Sequence, residues 1–204
     1  MPKYDTVKDD ASLNRAAEAL TANGFTVRIV ANGEEAKQAA LKLLPKGEEV
    51  LTVTSRTLDQ TGLTPAINES GDYDAVRPKL NALMGDPSKK EQQRKLGAAP
   101  THVIGSVHAL TEDGRVLIAS NTGSQLPAYL YGAGHVVWVV GGQKITKDMD
   151  DALNRLEQHV VPLENERSKQ AYGAPTNVSK LAMVNKEIQP GRIDIIIAKE
   201  ALGF

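Results

Sequence analysis

Apolar residues recur along this chain in two alternating rhythms. From Ala11 to Asn23 they fall at helical spacing, and Gly24 is placed to stop a helix. FTVRIVA, residues 25–31, is β-branched and reads as a strand. Asn32-Gly33 turns into GEEAKQAALKLLP, a helix that ends near Pro45, and EEVLTVTS, residues 48–55, gives a second strand. Two helix–strand units in succession predict a parallel sheet covered by helices.

The stretch from Thr61 to Pro100 carries breakers at short intervals and predicts short helices, one of them with Asp86 as cap and Pro87 at its first position. The mixed charges of KKEQQRK there fit a solvated helix face. Strand character returns at Val103 to Leu110 and at Arg115 to Ala119, joined by an Asp113-Gly114 turn that predicts a β-hairpin. His102 and His108 share one face of that strand by parity. A helix is expected from Ser124 to Tyr131. HVVWVVGG, residues 135–142, is a continuous apolar run, as in a parallel strand buried on both faces. Met149, Leu153, Leu156 and Val160 mark an amphipathic helix that Pro162 should break. GRIDIIIAKE, residues 191–200, is the last expected strand. No repeat or linker divides the chain, so residues 1–204 are expected to form a single domain.

Composition narrows the function. Hydrophobic residues make up 41% and charged residues 24%, ordinary values for a globular protein. Lys and Arg number 24 against 25 Asp and Glu. That balance gives no electrostatic drive toward nucleic acid, and an aromatic content of 4% offers little base stacking. No window reaches the roughly 18 apolar residues of a membrane span. The opening MPKYDTVKDD lacks the apolar core of a secretory signal, so the expected location is cytoplasmic. There is no cysteine. Disulfides, thiolate nucleophiles, cysteine-held zinc and iron–sulfur clusters held by this chain are thereby excluded, and no cofactor or metal is expected on it.

Ligands of open α/β sheets sit beyond the C-terminal ends of the strands. Three such ends are chemically rich. Thr54-Ser55-Arg56-Thr57 combines hydroxyls, helix-start N–H groups and one cation, which suits an anion, although Ser55 or Thr57 as a plain N-cap is the simpler reading. His108 with Glu112 and Asp113, followed by Asn121-Thr122-Gly123-Ser124, offers acid–base groups beside a small polar loop. For Glu112 and Asp113 the plain alternative is turn chemistry, and for His108 a structural histidine. Gly141-Gly142 followed by Lys144 lets a ligand approach backbone next to a positive charge. The Gly132-Ala133-Gly134 sequence precedes its strand and is not a dinucleotide fingerprint. Taken together, these loops predict a pocket for a small anionic ligand: a phosphate, a carboxylate or the pyrophosphate of coenzyme A.

The same residues resemble the LUD (lactate-utilisation) domain family, which includes the LutC-type proteins. The resemblance spans most of the chain. It rests on Ser55-x-Thr57-Leu58 with Thr61-Gly62-Leu63, and on Gly105-x-x-x-Ala109-x-Thr111-Glu112-Asp113-Gly114. Asn121-Thr122-Gly123, Val139-Val140-Gly141 with Lys144-Ile145, Gly191-Arg192-Ile193 and Glu200-x-Leu202-Gly203 continue it. It implies an α/β fold with a Rossmann-like, mostly parallel sheet flanked by helices, similar to ribose-5-phosphate isomerase, glucosamine-6-phosphate deaminase and coenzyme A transferases. It also implies a role beside separate iron–sulfur subunits in bacterial oxidation of L-lactate to pyruvate. A homodimer follows only by analogy with that fold. Two departures stand out. The loop that usually reads T-G-N-R is Thr122-Gly123-Ser124-Gln125, which removes a bidentate anion contact. The Cys-rich segment of many members is absent. The expectation is an accessory, LutC-like protein with a pocket for a small anionic metabolite. The alternative is a stand-alone isomerase or coenzyme A transferase in which Glu112, Asp113 or His108 serves as acid–base.

Overall fold

The computed structural model describes residues 3–204; Met1 and Pro2 of the opening polar stretch lie outside them. The elements in chain order are α1 (Asp10–Ala22), β1 (Thr26–Val30), α2 (Gly33–Lys42), β2 (Glu49–Thr52), α3 (Arg56–Gln60), α4 (Leu63–Asn68), β3 (Asp74–Ala75), α5 (Val76–Ala82) and α6 (Lys90–Ala98). They continue with β4 (His102–Gly105), β5 (Ala109–Thr111), β6 (Val116–Ser120), β7 (His135–Gly141), β8 (Ile145–Thr146), α7 (Met149–Arg155), α8 (Val161–Tyr172), β9 (Lys180–Val184) and β10 (Ile193–Ala198). Local chemistry sets several starts. The Asp9, Asn32 and Asp148 side chains each accept a backbone N–H from the first turn of α1, α2 and α7. Gly24 stops α1 at φ 90°, where a Cβ would lie 2.1 Å from the Glu187 carbonyl oxygen, so only glycine fits.

Six strands form a parallel sheet in the order β1-β10-β7-β4-β2-β3, and four form a mixed sheet in the order β8-β5-β6-β9. Alternation along the strands sorts the core into layers. Ile104, Val137, Val139 and Ile196 face Ala36 and Ala40 of α2, Leu58 of α3, and Leu63 and Ile67 of α4. Val103, Val136, Trp138, Val140 and Ile195 point the other way. They meet Leu13 and Leu20 of α1 together with Leu110, Val116, Ile118 and Ile145 from the second sheet. The outer face of that sheet, Ala109, Leu117 and Ala119, is closed by Met149 and Ala152 of α7 with Leu156 and Val160. Among the described residues no helix is long and apolar enough to cross a membrane.

The expected α/β class and Rossmann-like parallel sheet are observed, and the Asp113-Gly114 hairpin joins β5 to β6. Four local expectations change. The run from Val103 to Leu110 is two strands in two sheets, because the chain leaves the first sheet at Ser106 and enters the second at Ala109. His102 and His108 therefore do not share a strand face. Pro162 does not end its helix. A wide turn, Leu156–Val160, precedes it, with the Val161 N–H reaching back five residues to the Leu156 carbonyl, and the helix runs on to Tyr172. The helix expected over Ser124–Tyr131 starts two residues later, with Leu126 and Pro127 helical ahead of one wide helical turn, Ala128–Gly132. β3, β8 and β9 had no clear pattern in the sequence, being short or half exposed.

Arg192 ties the wide turn to the sheet. It is 6% exposed, and it donates from Nε to the Ala133 carbonyl at 3.1 Å and from Nη2 to the Tyr129 carbonyl at 3.1 Å. Its Nη1 pairs with Glu187 at 2.9 Å. Arg192→Met leaves Glu187 and the turn carbonyls without their donor. The expected loss is about 3 kcal/mol of unfolding free energy, as for other broken buried pairs, read from urea denaturation. A loss under about 0.5 kcal/mol, the level of an ordinary surface change, would contradict this account.

Candidate functional site

The centre of interest lies at the C-terminal ends of β2, β4 and β7. After β7 the chain makes a tight turn, Gly142–Lys144, and Lys144 points inward with 3% of its surface exposed. Its Nζ donates toward Thr57 Oγ1 at 3.2 Å, Ser106 Oγ at 3.2 Å and the Val107 carbonyl at 3.4 Å. Thr57 is in the first turn of α3 after β2, and Ser106 follows β4 directly. Three strand ends thus deliver one amine and two hydroxyls to one point. Among the described residues no carboxylate pairs with Lys144. Burial pushes the amine down to about 7 from an ordinary 10.5, and the charge of Arg155 adds to the effect.

Arg155, fully buried at the end of α7, donates from Nη1 to the His108 carbonyl at 2.7 Å. Among the described residues its Nε and Nη2 have no hydrogen-bond partner. His108, on the connection between β4 and β5, accepts the Ala119 N–H on Nδ1 at 3.0 Å. Desolvation, then the charges of Lys144 and Arg155, hold its imidazole well below its ordinary range, so it is neutral at pH 7. A ring in that state is a structural acceptor first.

The segment that follows β10 lies over the amine. Gln143, 1% exposed, donates to the Leu202 carbonyl at 3.0 Å and accepts the Leu202 N–H at 3.2 Å. The Thr57 hydroxyl donates to the Leu202 carbonyl at 3.2 Å, and Gly203 N–H reaches Gln60 Oε1 at 2.6 Å. Gly203 has φ 66°, and a Cβ there would sit 2.5 Å from Thr57 Oγ1 and 3.3 Å from Lys144 Nζ. Gly141 and Gly142 serve this same segment. A Cβ on Gly141 would lie 2.5 Å from the Leu202 nitrogen, and the Gly142 N–H donates to the Glu200 carbonyl at 3.1 Å. The close backbone approach expected of a ligand at this glycine pair is made here by the chain itself.

Of the residues singled out from the sequence, the structure brings Thr57, Lys144 and the glycine pair together. Ser55 is the N-cap of α3, Thr54 is exposed, and Arg56 lies on the surface 3.9 Å from Asp59. Glu112 pairs with Arg15 at 2.8 Å, and Asp113 pairs with Arg115. Both carboxyls are held below their usual range, Glu112 first by its bond from Arg15 and Asp113 first by its bond from Arg115. Their turn packs on α1, where Asn23 donates to the Gly114 carbonyl at 2.8 Å. Asn121 meets Ser179 and Lys180. Thr122 and Ser124 bond one another at 3.1 Å, and Gly123 bonds Ser120 at 2.8 Å. Neither group bonds Lys144. Ser106, Gln143, Arg155 and Gly203 were missed as site residues. Gly203 stood in the Glu200-x-Leu202-Gly203 pattern and Ser106 in the gap after Gly105, but a lone buried Arg155 carries no sequence signal.

Fold and site define an open α/β protein with a buried cation at its strand ends. The pattern of the LUD domain family matches residues 13–199, and the chain belongs to that family. It is similar in fold to a DUF162 family protein from Deinococcus radiodurans, with a TM-score of 0.56, 12% identity, 92% of this chain covered and 96% of that one. It also matches eIF2B beta from Chaetomium thermophilum, at a TM-score of 0.36 and 17% identity over 61% of this chain and 42% of that one. No curated protein matches the sequence.

Because folding depresses the Lys144 pKa, charging this amine opposes folding. The opposition is absent above pH 10.5, grows as pH falls from about 10.5 to about 7, and is constant below that. Lys144→Met removes it. The stability of this variant relative to the parent should therefore rise as pH falls from 10 to 7 and level off below 7. Urea denaturation at several pH values reads this, and a pH-independent difference would refute it.

Proposed function

We propose that the protein is a LutC-like accessory of bacterial L-lactate utilisation that binds a small anionic metabolite around Lys144. Membership of the LUD domain family supports the pathway. The observation that carries the pocket is the convergence of Lys144, Thr57 and Ser106 at three strand ends with, among the described residues, no carboxylate to neutralise the amine. An anion would supply the missing charge and raise the amine's proton affinity, so binding and protonation would reinforce one another. The chain has no cysteine, so thiolate-held iron–sulfur chemistry belongs to partner subunits. The stand-alone isomerase or transferase reading draws less support, because Glu112 and Asp113 are each engaged by an arginine.

A thermal-shift panel of L-lactate, pyruvate, sugar phosphates, coenzyme A and acyl-coenzyme A tests the pocket. A ligand at about 100 times its dissociation constant adds ~2.7 kcal/mol, which for a domain of this size is several degrees, since each kcal/mol shifts the midpoint by ~2–4 °C. One anionic class should shift the midpoint, and Lys144→Ala should abolish that shift. A shift that survives in Lys144→Ala would move the ligand away from this site.

A further inference from the structure

We propose that Lys144 is a nucleophile that forms an imine with the carbonyl carbon of a small 2-oxo carboxylate. The proposal rests on the anionic-metabolite reading above and names the class of metabolite. Its basis is the way the three neighbours of Nζ are filled. The Val107 carbonyl can only accept, and it takes one N–H. The single proton of the Thr57 hydroxyl is directed to the Leu202 carbonyl, so toward Lys144 Thr57 accepts a second N–H. Ser106 Oγ takes the third N–H at 3.2 Å and lies 3.3 Å from Thr57 Oγ1. All three neighbours are neutral: the buried amine has two hydroxyls beside it and, among the described residues, no carboxylate to hold its proton. Arg155, buried and short of acceptors, disfavours a second charge nearby. Desolvated lysines next to another cation are the ones used for Schiff-base chemistry.

The step balances without an oxidant. The Nζ lone pair attacks the carbonyl carbon, and the C=O π pair moves to oxygen. A proton passes from nitrogen to that oxygen, with the Ser106 and Thr57 hydroxyls placed to relay it. A proton taken from solvent lets that oxygen leave as water, the nitrogen lone pair forms the C=N bond, and the nitrogen returns its remaining proton to solvent. The sum is amine plus ketone giving imine plus water. The carboxylate stays intact and supplies the anionic charge. Leu202 and Gly203 cover the amine, so the segment 199–204 has to swing aside first. It is held near the site by the Gln143, Thr57 and Gln60 hydrogen bonds, and its opening sets the rate.

The test uses the full chain with pyruvate as probe, borohydride to reduce any imine, and peptide mapping by mass spectrometry. L-Lactate, which has the carboxylate but no ketone, is the control. Expected is one reduced adduct on Lys144 with pyruvate and none with lactate. Trapping should be at least about tenfold faster at Lys144 than at any surface lysine, and should speed up in Gln143→Ala. Lys144→Arg should lose the adduct. Adducts spread over surface lysines, or none at Lys144, overturn the proposal. If pyruvate then still shifts the midpoint, only the imine falls. If neither pyruvate nor any other anion shifts it, the pocket falls as well.

Discussion

From Val136 to Gly141 every residue of β7 is buried, and the rest of the molecule is arranged to keep it so. A strand buried on both faces has to be flanked by two strands and covered by two layers. β4 and β10 take the flanks. Helices α2 to α4 form one cover, and α1 with the second sheet forms the other. Parallel pairing puts the C-terminal ends of β2, β4, β7 and β10 on one edge, and the loops that leave them meet there. Lys144, Thr57 and Ser106 owe their meeting to that constraint. None of the three is near the others in sequence.

Three buried cations show how differently a fold can treat a charge. Arg192 is matched on several sides by Glu187 and backbone carbonyls, so its guanidinium is neutralised and braces the turn before β7. Among the described residues Arg155 has one carbonyl and two idle N–H-bearing nitrogens, and Lys144 has hydroxyls and a carbonyl but no carboxylate. The first arrangement builds stability. The second works against it, because a buried charge without a counter-charge is disfavoured by several kcal/mol. Sites that oppose stability are where function is commonly found. Lys144 is the member of this pair whose protonation can change near neutral pH.

Much of the architecture was legible in the order of residues. Long β-branched runs such as those of β7 and β10 and the capped helices α1 and α2 follow directly from spacing, because each is local and strongly patterned. The sheet change at Ser106 was not legible. The apolar run continues through Val107, and only pairing with distant strands shows that the residues on either side of it belong to different sheets. Pro162 misled for a related reason: the wide turn that accommodates it is set by packing on the second sheet, not by its neighbours in sequence. At the site, Thr57 and Lys144 were visible as polar residues at strand ends. Glu112 and Asp113 drew attention by their chemistry, but their ion partners Arg15 and Arg115 could be assigned only from the fold.

The small polar loop after β6 bears on where a ligand's charge is met. The family resemblance implies an arginine where this chain has Gln125. Here Gln125 turns inward, accepting from Ser120 Oγ at 2.9 Å and donating to the Ala119 carbonyl at 3.3 Å. The Lys180 stem lies against Gly123, so closely that a Cβ there would be 2.6 Å from it. The loop therefore satisfies its own polar groups and brings no cation toward the strand ends. With Arg56 on the surface, Lys144 is the cation that Thr57 and Ser106 surround. The strand ends therefore offer a ligand few anchors, one amine and two hydroxyls.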